Sequence, residues 1–163
     1  MKKIIYVILI CCLCFGVGGC SSGGSATSVF EKFDKNTTIS EVEKKYNITE
    51  KDEKGKLVYC NSDDIVKIAG VEGTLSFIFI DGNLHSMNWR SDTNTNYSNF
   101  LEKVSKELDK KYDSSDSQMN HQLEDGFGDN YYWYGDKSTY TVQLVKETEN
   151  SDYYMVFIFC LFL

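Results

Sequence analysis

Hydrophobic and polar positions alternate most regularly between Gly73 and Ser91, in GTLSFIFIDGNLHSMNWRS. Leu75, Phe77 and Phe79 share one side at period two, and His85, Met87 and Trp89 share a side on the return. Asp81-Gly82-Asn83 between the two runs predicts a β-hairpin. A three-residue loop sets those two groups opposite each other, whereas a two-residue loop sets Phe77 against Ser86. The pattern therefore predicts the odd loop, with Gly82 or Asn83 left-handed. The second face, with Ile78, Leu84 and Asn88, is mixed.

Helical spacing occurs twice. Thr38-Ile39-Ser40-Glu41 has the form of a capping box, and Ile39, Val42 and Tyr46 follow at intervals that predict a short helix to about Tyr46. Asn47 and a charged stretch to Lys56 end it. Two strand-like runs, Leu57 to Ser62 and Ile65 to Ala69, lead into the hairpin. From Asn94–Asn96 a longer helix is predicted, with Tyr97, Phe100, Leu101, Val104, Leu108 and Tyr112 as its apolar stripe. Ser114 to Asp129 reads as a polar loop. Strands are predicted at Tyr131–Tyr134, Thr139–Lys146 and Tyr153–Cys160, with a turn at Asn150-Ser151. Met155 to Leu163, MVFIFCLFL, has the composition of a buried central strand and an apolar end. Each half is thus one helix followed by three or four strands. The expected class is α+β: an antiparallel sheet with helices on one face, in two tandem halves.

The start of the chain is of another kind. Met1-Lys2-Lys3 is basic, Ile4 to Val17 is almost continuously apolar, and Val17-Gly18-Gly19-Cys20 follows. The apolar run is shorter than the roughly 20 residues that span a bilayer as a helix, and it fits the core of a secretory signal peptide. With Cys20, the segment resembles the lipobox of bacterial lipoproteins, although Val17 and Gly18 stand where Leu and Ala or Ser are usual. The resemblance implies cleavage before Cys20 and acylation there, palmitate included, and hence a lipid anchor on the extracytoplasmic face of a membrane. Residues 1–19 are then the signal peptide. Residues 20–28 are the anchored cysteine and a flexible Gly/Ser linker, SSGGSATS from Ser21 to Ser28. Residues 29–163 are one domain.

Cys11, Cys12 and Cys14 fall in the discarded leader. Cys60 and Cys160 remain, and they read as two separate buried thiols, with a bridge between them as the alternative. Loss of Lys2 and Lys3 moves the formal charge from −7 to −9. So acidic a domain is a poor partner for nucleic acid, which is held through Lys and Arg.

The order of elements and the helix start at Thr38, Glu41 and Val42 resemble the β-lactamase-inhibitor-protein-like fold and the SmpA/OmlA envelope lipoproteins that share it. Asn36 and Thr37 replace the usual Gly-Met. The resemblance implies protein binding or envelope assembly, and no catalysis.

Candidate chemistry is sparse. The histidines, His85 and His121, are far apart, and the expected places are the apolar face of the hairpin and a solvated loop. Asp63-Asp64 and Asp113–Asp116 lack calcium-loop spacing and read as loop charge. No catalytic, cofactor or metal residues are assigned. The unusual cluster is Tyr131, Tyr132, Trp133 and Tyr134, four consecutive aromatics on one predicted strand. Alternation sends Tyr131 and Trp133 to one face and Tyr132 and Tyr134 to the other. One pair can serve the core. The other is either covered by the Ser114–Asp125 loop or forms a candidate binding surface. The expected function is that of a membrane-anchored, non-catalytic protein-binding or envelope module, with the lipid on Cys20 as membrane contact and an envelope protein as partner. The alternative is a hydrolase or glycan-binding protein acting on envelope polymers.

Overall fold

The computed structural model describes residues 24–91, 97–123, 126–146 and 154–163. The leader, the lipobox and Cys20 lie outside the described residues, as do Asn94–Asn96 and the turn at Asn150-Ser151.

Among the described residues three helices and eight strands follow one another: α1 Ala26–Phe30, α2 Ile39–Glu43, β1 Ile48–Lys54, β2 Leu57–Ile68, β3 Val71–Ile80, β4 Asn83–Ser91, α3 Tyr97–Leu108, β5 Asp113–Leu123, β6 Gly126–Tyr134, β7 Ser138–Lys146 and β8 Tyr154–Phe162. The strands form one antiparallel sheet in the order β1-β2-β3-β4-β8-β7-β6-β5. Each half of the chain is a four-strand meander, and the two meanders meet at their last strands. This is an α+β architecture.

Three segments differ from expectation. Gly24 to Ser28 does not continue the flexible linker, because the chain from Gly24 onward is folded. Ser25 caps α1, its Oγ accepting from the Ser28 N–H at 3.1 Å. The Glu107 carboxylate on α3 accepts from the Ala26 N–H at 3.0 Å, from the Thr27 N–H at 2.6 Å and from the Thr27 hydroxyl. A carboxylate at a helix start satisfies donors that have no partner within the helix. Ala26 and Phe30 are fully buried as a result.

The charged stretch after α2 is β1, an edge strand with Ile48 half-buried and the six residues after it exposed. Lys51 pairs with Glu53 and Lys54 with Asp52 along it. Such charge keeps an unpaired edge from recruiting another chain, and it also hides the strand from a search for alternation. The polar segment from Ser114 is likewise no loop but β5, the opposite edge of the sheet, followed by the start of β6.

The two runs at Leu57–Ser62 and Ile65–Ala69 belong to one strand, β2, whose pairing slips between Ser62 and Val66. Past that slip the Val66 carbonyl accepts from Trp89 Nε1 at 2.9 Å. The indole reaches β2 only by crossing β3 at Gly73, where a Cβ would lie 2.2 Å from the Arg90 carbonyl oxygen and 2.5 Å from Trp89 Cε2. Glycine is required there by close approach.

The hairpin of β3 and β4 corrects the expected loop. Ile80 pairs with Asn83, so the turn has two residues, Asp81 and Gly82, with φ of 51° and 82°. A two-residue left-handed turn matches the strand twist. The expected register is then recovered by one extra residue. Phe79 faces Leu84 and Ile78 faces Ser86, so His85 is a bulge. Beyond it Phe77 faces Met87 and Leu75 faces Trp89, as the apolar pattern demands.

Phe77, Met87, Trp89, Ile158, Cys160 and Val142 are fully buried on one sheet face. Phe100 of α3 stacks on Trp89, with ring centroids 5.6 Å apart and planes at 5°. Phe30 meets Tyr140 edge-on at 5.9 Å and Phe33 meets Phe77 edge-on at 6.2 Å. At α2 the Glu41 carboxylate closes back on Thr38, accepting from its N–H at 2.8 Å and its hydroxyl at 2.9 Å, and Val42 is buried.

The two remaining cysteines lie in one cross-strand row: Cys60 faces Phe77, Phe77 faces Met87, and Met87 faces Cys160. Three strand spacings of about 4.8 Å put them about 14 Å apart, twice the reach of a disulfide. Both are free and buried.

Candidate functional site

β6 runs between β5 and β7, so its two faces are fixed by the sheet. Trp133 turns into the core, and its Nε1 donates to Asp109 Oδ1 at 2.7 Å. Tyr131 packs against the same core. Tyr132 and Tyr134 point the other way. Their ring centroids are 6.4 Å apart and their planes 12° from parallel. Tyr134 is 50% exposed and Tyr132 half-buried. The segment expected to cover them is β5, hydrogen-bonded to the edge of β6 in the plane of the sheet.

Cross-strand pairing fixes the surroundings of this pair. Tyr132 faces Thr141, Thr141 faces Phe159, Phe159 faces Asn88, and Asn88 faces Ser76. In the next row of that face, Arg90 is opposite Phe157 and Phe157 opposite Gln143. Phe157 and Phe159 stack at 5.9 Å with planes 11° apart. The outer face thus carries two aromatic pairs on β8 and β6. They are separated by two strand spacings, roughly 10 Å, with Thr139, Thr141 and Gln143 of β7 between them.

Beside Phe157 and Phe159 the face sinks into an open groove of about 420 Å³, whose lining includes Glu50, Asn61, Asp63, Ser76, Asn88 and Arg90. Asn61 Nδ2 donates to Glu50 Oε2 at 2.9 Å, and Asn88 Nδ2 donates to Ser76 Oγ at 3.4 Å. Arg90 is the single arginine of the chain. Among the described residues no carboxylate forms an ion pair with it. Sequence reasoning missed Arg90, Phe157 and Phe159. The lone arginine among 17 basic residues was one available signal. The other was the alternation hidden in MVFIFCLFL, which puts the two phenylalanines on the face away from Cys160.

The histidine expected on the apolar face is not there. The bulge turns His85 outward, where it is exposed, and it does not line the groove. His121 falls in β5, and its side chain lies outside the described residues, as do those of Asp113–Asp116. Asp63 and Asp64 sit at the irregularity of β2, where Asp64 Oδ2 accepts from the Asn47 N–H at 2.8 Å. Among the described residues no group of three His, Cys, Asp or Glu side chains could hold a metal ion. Burial pushes the Cys160 thiol up to about 12 and the Tyr140 phenol beside it upward as well. A thiol so protonated is a poor nucleophile.

No protein family, curated protein or solved structure matches the chain. Among the described residues no helix is long and apolar enough to cross a membrane.

Proposed function

We propose that the chain is an extracytoplasmic lipoprotein, anchored through Cys20, whose domain binds an envelope protein without catalysing a reaction. In this reading the helical layer covers one face of the sheet, and the other face is the binding surface. The observation that carries it is the Tyr132–Tyr134 stack, which lies on the side away from the core. An aromatic on that side contributes little to folding, while large rigid side chains with a polar tip suit a protein contact. Binding is favoured over hydrolysis by the shape and lining of the groove. It is open, and its Glu50 and Asn88 are already hydrogen-bonded to neighbouring side chains rather than converging on a reacting atom.

Two measurements test the two parts. Wild type is expected in the detergent-rich phase and Cys20→Ala in the aqueous phase; the same phase for both removes the anchor. A photo-crosslinking residue at position 134 is expected to capture one discrete envelope protein, and one at exposed Glu43 on α2 is not. Equal capture from both positions, or capture of glycan polymer alone, refutes the protein-binding face.

A further inference from the structure

The folded part of the chain begins almost at the anchor. The Gly24 N–H donates to the Lys67 carbonyl at 3.0 Å, and the Ala69 N–H donates to the Gly24 carbonyl at 3.3 Å. Gly24 thereby forms a parallel bridge with Ile68, at the end of β2. α1 follows at once, held by Glu107. Only Ser21, Ser22 and Gly23 separate Cys20 from this fixed point. Four residue steps reach at most about 14 Å even when fully extended. The Gly/Ser stretch is therefore too short to be a spacer.

Resting on the anchoring at Cys20, we infer that the domain is held end-on against the lipid surface, with the β2–β3 turn at Ala69-Gly70 next to the bilayer. β3 leads away from that turn. Its ten residues carry the opposite end, at Asp81-Gly82, about 30 Å farther out. The formal charge of −9 beyond the leader opposes tipping flat onto an anionic leaflet. The outer sheet face then looks sideways along the membrane. Whatever meets Tyr132 and Tyr134 is a membrane-bound protein, or one standing within about 45 Å of the bilayer.

Two single-cysteine variants report the orientation. Glu72→Cys lies beside the β2–β3 turn and Lys56→Cys at the far end, where the Lys56 carbonyl accepts from the Asp81 N–H at 3.0 Å. Both sites are exposed, while Cys60 and Cys160 are buried and remain unlabelled. The full chain is expressed in bacteria, purified from membranes, labelled with a fluorophore and reconstituted into phosphatidylcholine vesicles carrying a headgroup quencher. The label at position 72 is expected to be quenched severalfold more than the label at 56. Inserting about twenty Gly/Ser residues between Gly23 and Gly24 releases the constraint and should erase the difference. Equal quenching in the parent chain, or a difference that survives the insertion, overturns the end-on placement. If the protein fails to float with vesicles at all, the anchor itself fails, and that outcome is distinct from equal quenching of a vesicle-bound protein.

Discussion

The two faces of β8 are almost equally apolar in composition and differ in burial. Val156, Ile158 and Cys160 are fully buried on the core side, whereas Phe157, Phe159 and Leu161, one residue away in each case, are only half-buried and Met155 is 37% exposed. The same split runs through β6, where Trp133 is core and Tyr134 is surface. Apolar character thus does not say which face of a central strand is the interior. What says so is whether the neighbouring strands supply matching rows, and here Cys160 stands between Met87 and Tyr140 while Phe159 stands between Asn88 and Thr141.

Substitution of adjacent residues breaks this contrast most sharply at the hairpin. Trp89→Ala removes the ring that stacks on Phe100 and its hydrogen bond to Val66, and should cost about 3–5 kcal/mol. Gly73→Ala should be comparably damaging, since its Cβ meets backbone and indole at 2.2–2.5 Å. Thr74→Ala, next in sequence but on the outer face, should shift stability by less than about 1 kcal/mol. Urea unfolding of the three variants gives the comparison. Similar losses for Trp89→Ala and Thr74→Ala would mean that both faces are core.

A second contrast appears at alkaline pH. Burial holds the Cys160 thiol protonated from its ordinary value of 9.0 up to about 12, and raises Tyr140 too. Unfolded, the thiol ionises near 9.0. Below that pH both states carry the proton and Cys160 adds no slope. Above it the unfolded state binds fewer protons, so stability falls as pH rises toward 12, by up to about 1.4 kcal/mol per pH unit from this group. Cys160→Ala should flatten that part of the pH dependence, read as the difference from wild type in urea midpoints between pH 8 and 10. An unchanged slope would show that the thiol is solvated.

The α1–α3 contact is a smaller effect. Glu107→Ala leaves the Ala26 and Thr27 N–H groups without their acceptor and should cost about 1–2 kcal/mol. Hydrogen exchange should rise first at those two amides and at Gly24, while the β3–β4 amides stay protected. Uniform acceleration would mean that the N-terminal turn is part of the global unit rather than a local clasp.

These contrasts also mark how much was legible in the sequence. The hairpin partners Leu75–Trp89 and Phe77–Met87, the helix stripe of Phe100, Val104 and Leu108, and the two-way split of Tyr131 to Tyr134 follow from period alone, because each element buries one side only. β1 and β5 were invisible, since an edge strand lacks the alternation that a half-buried strand shows. α1 was hidden because its stability comes from Glu107, 80 residues away. The displacement of His85 came from a bulge that compensates a two-residue turn. Sequence could show that turn and register conflict, but not where the extra residue goes. The separation of Cys60 from Cys160 needed the strand order, which places β8 beside β4. At the outer face, the tyrosines were found from their density, while Arg90 and the phenylalanines of β8 required knowing which strands are neighbours.

The smallest expected change in stability belongs to the pair on which the proposed function rests. Tyr132→Ala combined with Tyr134→Ala removes a ring stack that has solvent on one side, and should cost no more than about 1 kcal/mol. Trp133→Ala, between them in sequence, loses a buried ring and the hydrogen bond to Asp109 and should cost about 3–5 kcal/mol. Binding should rank the variants in the opposite order. The double tyrosine variant keeps the fold and loses the discrete crosslink from a photo-reactive group at position 157, because an aromatic anchor at a contact is typically worth about 2 kcal/mol or more. The decisive measurement pairs a urea midpoint with crosslinking yield on the same preparation. If the double variant unfolds as readily as Trp133→Ala, Tyr132 and Tyr134 are structural and the outer face is not a binding surface. If it folds normally and crosslinks undiminished, the partner contact lies elsewhere.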